Sequence, residues 1–301
     1  MRVGAVDIGS NTAKLLIADV SRKDLELHVE PIHRASAITR LGHGVDRARR
    51  LDAATMGRAL AILGGYGSAT ARHECDSVIA VATAAVRMAS NGAEFLDRVE
   101  AALGERPVLL SGKDEAALAF RGARSGLNLD PPILLIDPGG GSTELALGKT
   151  GPEYRESLSI GSRRITERRL ARVPVVAGAL TAARADVADV LDDTVLPERP
   201  STVIGIGGTV TTLAALALGS STPEHGTLLP IETVTSTIGL LATMRTEEIA
   251  QLTGVPAGRA DVLLGGAVIV EQTLVHAEAT ELVVSTGGLI DGLALEAAER
   301  V

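Results

Sequence analysis

Two short segments hold most of the residues that could do chemistry. Val3-Gly4-Ala5-Val6-Asp7-Ile8-Gly9-Ser10-Asn11-Thr12 is echoed by Leu134-Leu135-Ile136-Asp137-Pro138-Gly139-Gly140-Gly141-Ser142-Thr143, Asp137 lying 130 residues after Asp7. Each copy runs from an apolar strand into an acid, then into glycines and hydroxyls, then into a second strand. Glycine lets backbone N–H groups approach an anion, hydroxyls add donors, and a carboxylate at the same turn can hold Mg²⁺ against phosphate charge. One such turn alone is as well explained by a tight strand end. Two copies that both keep the acid read as a duplicated phosphate-binding hairpin.

Further segments carry chemistry at strand ends. Glycine turns follow strands at Gly205-Ile206-Gly207-Gly208-Thr209 and at Ser285-Thr286-Gly287-Gly288. Thr83 to Asn91 follows the strand Val78–Ala82, which puts Arg87 beyond a strand's carboxyl end, where ligands of open α/β sheets bind and a guanidinium clamps a terminal phosphate. Taken alone, Arg87 equally suits a surface ion pair. Ser111-Gly112-Lys113-Asp114-Glu115 opens a helix with Ser111 as its cap, and Glu115 taken alone is an ordinary first-turn acid. Other phosphate patterns fail. Gly148-Lys149-Thr150 has Thr143 where a P-loop needs its first glycine, and Gly205 to Val210 lacks the last glycine of a dinucleotide fingerprint. The histidines (His28, His33, His43, His73, His225, His276) show no ligand spacing, so a zinc site is not expected; His225, in Pro223-Glu224-His225-Gly226, is the one to test.

The elements that must position these residues alternate between β-branched runs and helical stretches, the pattern of an α/β protein. Strands are expected at Val3–Val6, Leu15–Val20, Val78–Ala82, Ile133–Ile136, Glu144–Leu147, Val203–Ile206 and Leu282–Ser285. Helices are expected between them, with Asn91 and Glu94 as a capping box, Thr246 capping the stretch to Leu252, and longer helices over Thr181–Leu196 and Asp261–Ala279. A chain of 301 residues suggests two domains at about 150 residues each. Pro131-Pro132 places the boundary near Gly126 to Pro132. Aromatics are 1% of the chain and Trp is absent, so the core must be aliphatic. A net charge of −8 lacks the positive field that nucleic acid needs. The single Cys75 excludes an internal disulfide, and the apolar run Val262–Val270 is too short to span a membrane. Asp7 interrupts the first apolar run before a signal-peptide core forms, so a soluble cytoplasmic protein is expected.

Asp7 to Thr12, Thr83 to Asn91, Ser111-Gly112 with Glu115, Asp137 to Glu144, Gly207-Gly208-Thr209 and the stretch Leu158 to Arg168 together resemble the exopolyphosphatase/guanosine pentaphosphate phosphatase (Ppx/GppA) family, of the actin, Hsp70 and sugar-kinase superfamily. The resemblance runs to Gly287-Gly288-Leu289-Ile290-Asp291-Gly292, nearly the whole chain. It implies two similar actin-like (ribonuclease H-like) lobes, residues 1–126 and 127–301, facing each other across a cleft, with the helix 289–300 packing back on the first. It implies Glu115 as the general base that activates water and Arg87 as a ligand of the terminal phosphate. Asp137 and Glu144, with Asp7, would hold Mg²⁺ or another divalent cation. Gly9, Ser10, Asn11, Thr12, Gly139, Gly140, Gly141, Ser142, Thr143, Gly207, Gly208 and Thr209 would line the phosphate site. Two departures stand out: Pro138 replaces the aliphatic residue usual after the second Asp and removes an N–H donor, and Met88 stands where an acid is common. The longer members carry extra C-terminal helical domains beyond this two-lobe core. The implied activity is Mg²⁺-dependent release of terminal orthophosphate from inorganic polyphosphate, short chains above all. The alternatives are a guanosine pentaphosphate 5′-phosphohydrolase and, from another class, an actin-like-fold kinase or nucleotide-binding protein. A homodimer is one assembly open to it.

Overall fold

The computed structural model describes residues 1–10, 12–23, 26–172, 174–176, 178–220, 222–256 and 258–299. The chain divides into two units, Met1–Gly126 together with Gly288–Val301, and Leu127–Gly287. The first holds β1 (Arg2–Ile8), β2 (Thr12–Lys23), β3 (Glu26–Ile38), β4 (Ser77–Ala82) and β5 (Val108–Leu109), in the order β3-β2-β1-β4-β5. The second holds β6 (Ile133–Pro138), β7 (Thr143–Gly148), β8 (Pro152–Leu158), β9 (Thr202–Gly205), β10 (Thr227–Pro230) and β11 (Glu281–Val284), in the order β10-β11-β9-β6-β7-β8.

The sequence repeat is a repeat of topology. In each unit an antiparallel meander, β1-β2-β3 or β6-β7-β8, is followed by a strand parallel to its first member, β4 beside β1 and β9 beside β6. A further parallel strand follows in each, β5 beside β4 and β11 beside β9, and β10 adds an antiparallel edge. Parallel neighbours need long crossovers, and helices Ala53–Arg72 and Gly92–Leu103 supply them in the first unit. Strand β1 is buried along Val3–Ile8, which is why it reads as a continuous apolar run. Edge strands β3 and β8 escape the sequence pattern. Largely exposed, they are held by their ladders rather than by an apolar face.

Alternation along β1 decides which face meets what. Val3 and Ala5 belong to the core shared with Leu118 of helix Gly112–Arg124 and with Ile290, Leu293, Ala294 and Ala297 of helix Leu289–Glu299. Val6 and Ile8 face the opposite core, with Leu63, Phe95 and Val99. The second unit closes one large aliphatic core around Leu134, Ile136, Leu145, Leu147 and Val268. Among the described residues no helix is long and apolar enough to cross a membrane.

Helix ends differ from expectation where side chains find other partners. Asn91 makes no cap bond to helix Gly92–Leu103; its buried amide accepts from the Leu51 N–H at 2.8 Å and donates to the Leu51 carbonyl at 3.1 Å. The residue capping the helix at Thr246–Ile249 is Arg245, whose N–H donates to Glu248 at 2.7 Å, and Thr246 is the first helical residue. The long helices are Ala179–Asp192 and Leu263–His276, a turn shorter at the carboxyl end than their apolar periodicity suggests.

Candidate active site

The first glycine turn links β1 to β2. Gly9 donates its N–H to the Thr12 carbonyl at 3.0 Å, and a Cβ on Gly9 would stand 2.9 Å from that oxygen, too close for any side chain. Gly42 reaches back and donates to the Ser10 carbonyl at 2.7 Å. Asn11 lies outside the described residues. Asp7 shares the face of Val3 and Ala5, the face on which the helix carrying Glu115 packs. It is 6% exposed, and its Oδ1 has no hydrogen-bond partner. Burial pushes this carboxyl above its ordinary range, with the Lys14 ammonium opposing the shift. Lys14 is Asp7's register partner on β2, a cation outside the Asp7–Thr12 motif.

Arg87 and Glu115 stand at the next two strand ends of the same sheet. The short helix Ala84–Met88 follows β4, and the exposed Arg87 donates through Nη1 to the Leu110 carbonyl at 2.5 Å. Leu110 in turn donates its N–H to the Ala82 carbonyl at 3.0 Å, tying the segment before Glu115 to β4. Ser111 caps helix Gly112–Arg124: its Oγ accepts the Asp114 N–H at 3.2 Å and donates to Asp114 Oδ2 at 2.6 Å. Asp114 is thereby committed to the cap. Glu115, half-buried, donates its N–H to the Ser111 carbonyl at 3.0 Å and sits in the first turn of the helix.

The second glycine turn repeats the first. A Cβ on Gly139 would stand 2.9 Å from the Ser142 carbonyl oxygen, three residues on, as at Gly9. The segment after β8 reaches back here too, Ser162 donating to the Gly139 carbonyl at 2.9 Å and Arg163 to the Gly140 carbonyl at 3.0 Å. Glu144 is the register partner of Asp137, so both carboxylates project on one face. Glu144 Oε1 accepts from Ser142 Oγ at 2.6 Å and from Ser157 Oγ at 2.9 Å, which fixes the carboxylate beside the turn. Thr143 is fully buried, its hydroxyl donating to the Ile160 carbonyl at 2.9 Å, so it locks the turn and is not open to a ligand. Where the first copy pairs Asp7 with a lysine, the second pairs Asp137 with an acid.

The start of helix Gly207–Leu218 joins this second turn. Gly207 has φ +83°, a left-handed conformation that favours glycine, and a Cβ there would also stand 2.5 Å from Asp137 Oδ1. A Cβ on Gly208 would overlap the guanidinium of Arg259, 2.5 Å from Nη1. Thr209 is buried, its hydroxyl 3.5 Å from the Pro138 carbonyl. Burial pulls Arg259 below its ordinary pKa and the charge of Asp137 opposes that pull. Arg259 did not figure in the sequence reading, for it belongs to no glycine motif. Its only signal was a lone cation, in Gly258-Arg259-Ala260-Asp261, just before an apolar run.

The second unit therefore gathers Asp137, Glu144, Gly139, Gly140, Gly141, Ser142, Gly207, Gly208 and Arg259, while Asp7, Gly9, Ser10, Thr12, Arg87 and Glu115 belong to the first. Among the described residues no three acidic, histidine or cysteine side chains form a metal cluster. Mg²⁺ is commonly held by one or two carboxylates, its shell completed by water and substrate phosphate. Within the second unit the register pair Asp137 and Glu144 offers carboxylate oxygens of the kind that ion takes. His225 serves structure: its Nδ1 accepts the Thr286 N–H at 3.2 Å, holding the turn after β11.

Comparison with known proteins shows the family. The model of the Ppx/GppA phosphatase family matches residues 19–301. The chain is 35% identical to a Mycobacterium tuberculosis protein named exopolyphosphatase 2, covering 99% of this chain and 98% of that one. It superposes on the crystal structure of the Aquifex aeolicus member of the Ppx/GppA family with a TM-score of 0.89 at 30% identity, covering 100% of this chain and 98% of the other. An exopolyphosphatase from Cytophaga hutchinsonii gives 0.82 at 26%, covering 97% and 96%. With two units built on one glycine-turn plan and a family model that matches nearly its full length, the chain belongs to the Ppx/GppA phosphatase family.

Proposed function

We propose that this protein is an exopolyphosphatase that hydrolyses the terminal phosphoanhydride bond of inorganic polyphosphate. The observation that carries the proposal is the second glycine turn, where the exposed Gly140 and Gly141, the Ser142 hydroxyl, the start of a twelve-residue helix and the half-buried Arg259 converge beside Asp137 and Glu144. Such a place favours a phosphate anion. The names of the relatives support the same substrate class.

Phosphoryl transfer needs positioning and charge neutralisation more than covalent chemistry. In the proposed mechanism Glu115 takes a proton from the attacking water, and Arg87 holds oxygens of the terminal phosphate with the N–H groups that its bond to Leu110 leaves over. In the first unit Gly9 and Ser10 would supply donors to phosphate; in the second, Gly140, Gly141 and Ser142 would do so, with Gly207, Gly208 and Thr209 at the helix start. In the second unit Asp137 and Glu144 would hold Mg²⁺, which would supply neutralisation of charge on the phosphate oxygens.

The test is phosphate release from polyphosphates of several lengths, guanosine pentaphosphate and ATP, each with Mg²⁺ and with chelator. Fastest release from polyphosphate, lost with chelator, is the expected result. Faster release from guanosine pentaphosphate would reassign the substrate, and product formed only with an added acceptor would make the protein a kinase.

A further inference from the structure

Glu115, Leu118 and Gly122 recur at i, i+3 and i+7 and so share one face of helix Gly112–Arg124. At Gly122 that face meets helix Leu289–Glu299 backbone to backbone. A Cβ on Gly122 would overlap the Gly288 carbonyl oxygen and the Gly292 nitrogen, and a Cβ on Gly292 would overlap the Leu118 carbonyl oxygen. With no side chain between the two backbones, a slip of either helix passes undiminished to Glu115. Charged ties hold the last helix at both ends. Asp291 is 5% exposed; its Oδ2 accepts the Gly288 N–H at 2.9 Å, half of a capping box, and its Oδ1 takes Arg34 of β3. Arg121 grips Glu299 through two N–H bonds of 2.8 and 2.5 Å.

We propose that helix Leu289–Glu299 sets the position of Glu115, with Gly122, Asp291 and Gly292 as positioning residues. The inference rests on Glu115 being the base. A base must lie within hydrogen-bond reach of its water, and a misplacement of about 1 Å can cost about 10²-fold in rate. Ordinary packing would hold the fold; three glycines and two ion pairs fix sliding and rotation as well.

The experiment is a double-variant cycle on the full-length protein with tripolyphosphate as substrate. Gly292→Ala is expected to fold, to lose at least ~10-fold in kcat with KM unchanged, and to cause no further loss in a Glu115→Gln background. Asp291→Asn, which keeps the size and the Gly288 bond but loses the Arg34 charge, runs the same cycle should the alanine variant not fold. Equal losses in both backgrounds, a rise in KM in place of a fall in kcat, or a folded variant at wild-type kcat would overturn the positioning role. Wild-type turnover in Glu115→Gln alone would strike the base assignment itself, which separates the two failures.

Discussion

Neighbouring acids in one helical turn have different tasks here. Asp114 exchanges two hydrogen bonds with Ser111 and belongs to the cap, which leaves Glu115 to serve as base in the proposed mechanism. General-base contributions are about 10²- to 10⁴-fold, so Glu115→Gln should lose at least ~100-fold in kcat while retaining substrate binding. Arg87→Ala should raise KM and lower kcat together, since the guanidinium is assigned to the phosphate in both ground and transition states. Steady-state kinetics on tripolyphosphate distinguish the two patterns. A third acid, Glu271, is 4% exposed in the core of the second unit. Burial alone would raise its carboxyl, but the Arg184 fork at 2.6 and 2.8 Å, with Thr235 and Gln272, outweighs burial and holds it below the ordinary range. A carboxylate depressed by folding contributes stability that is complete above its unfolded pKa of about 4.3 and is lost as pH falls through the folded value. Glu271→Gln should therefore lower stability at pH 7 by roughly 2 kcal/mol, and the gap should narrow below about pH 4. Urea titrations at the two pH values measure it.

At the scale of elements, each glycine turn is made by the hairpin itself and the chain returning after the third strand, and the second unit adds a helix start. Gly42 on Ser10, and Ser162 on Gly139, show the return made the same way twice. The helix start of the second unit leaves no room for a side chain, because Asp137 and Arg259 occupy the places where the Cβ atoms of Gly207 and Gly208 would be. Gly208→Ala must displace the Arg259 guanidinium. Losing one charge-assisted contact to phosphate, worth roughly 1.5–3 kcal/mol, should raise KM about tenfold or more with little change in Tm. Arg259→Ala should reproduce the effect, and an unchanged KM in both would remove Arg259 from the phosphate site.

Across the whole molecule, one unit is a continuous stretch and the other is not. The core of Leu127–Gly287 closes within that stretch, so residues 127–287 alone should fold, giving a cooperative thermal transition and a dispersed amide spectrum. The first unit needs the far end of the chain, since Ile290 and Leu293 complete its core. Burying such a side chain is worth about 1.5–3 kcal/mol against a total stability of about 5–15 kcal/mol. A chain ending at Gly287 should keep the transition of the second unit and lose or sharply lower that of the first, in calorimetry.

The sequence by itself determined what is local and periodic. The two Asp–glycine–hydroxyl hairpins, the aliphatic central strands, the Ser111 cap and the family resemblance all lie within short windows, because a turn and a strand are decided by residues next to one another. The edge strands β3 and β8 could not be read, since their stability comes from ladders to a neighbour and leaves no apolar pattern. Asn91 carried cap chemistry for the wrong partner, because a side chain's partner is chosen among all atoms within reach, and Thr246 lies one residue inside the helix that Arg245 caps. Arg259 beside Asp137, Lys14 opposite Asp7 and the backbone-to-backbone contact of Gly122 with Gly288 and Gly292 were decided by tertiary structure alone. Sequence periodicity records which face a residue lies on, whereas the charge or backbone that meets it is set only when distant elements pack.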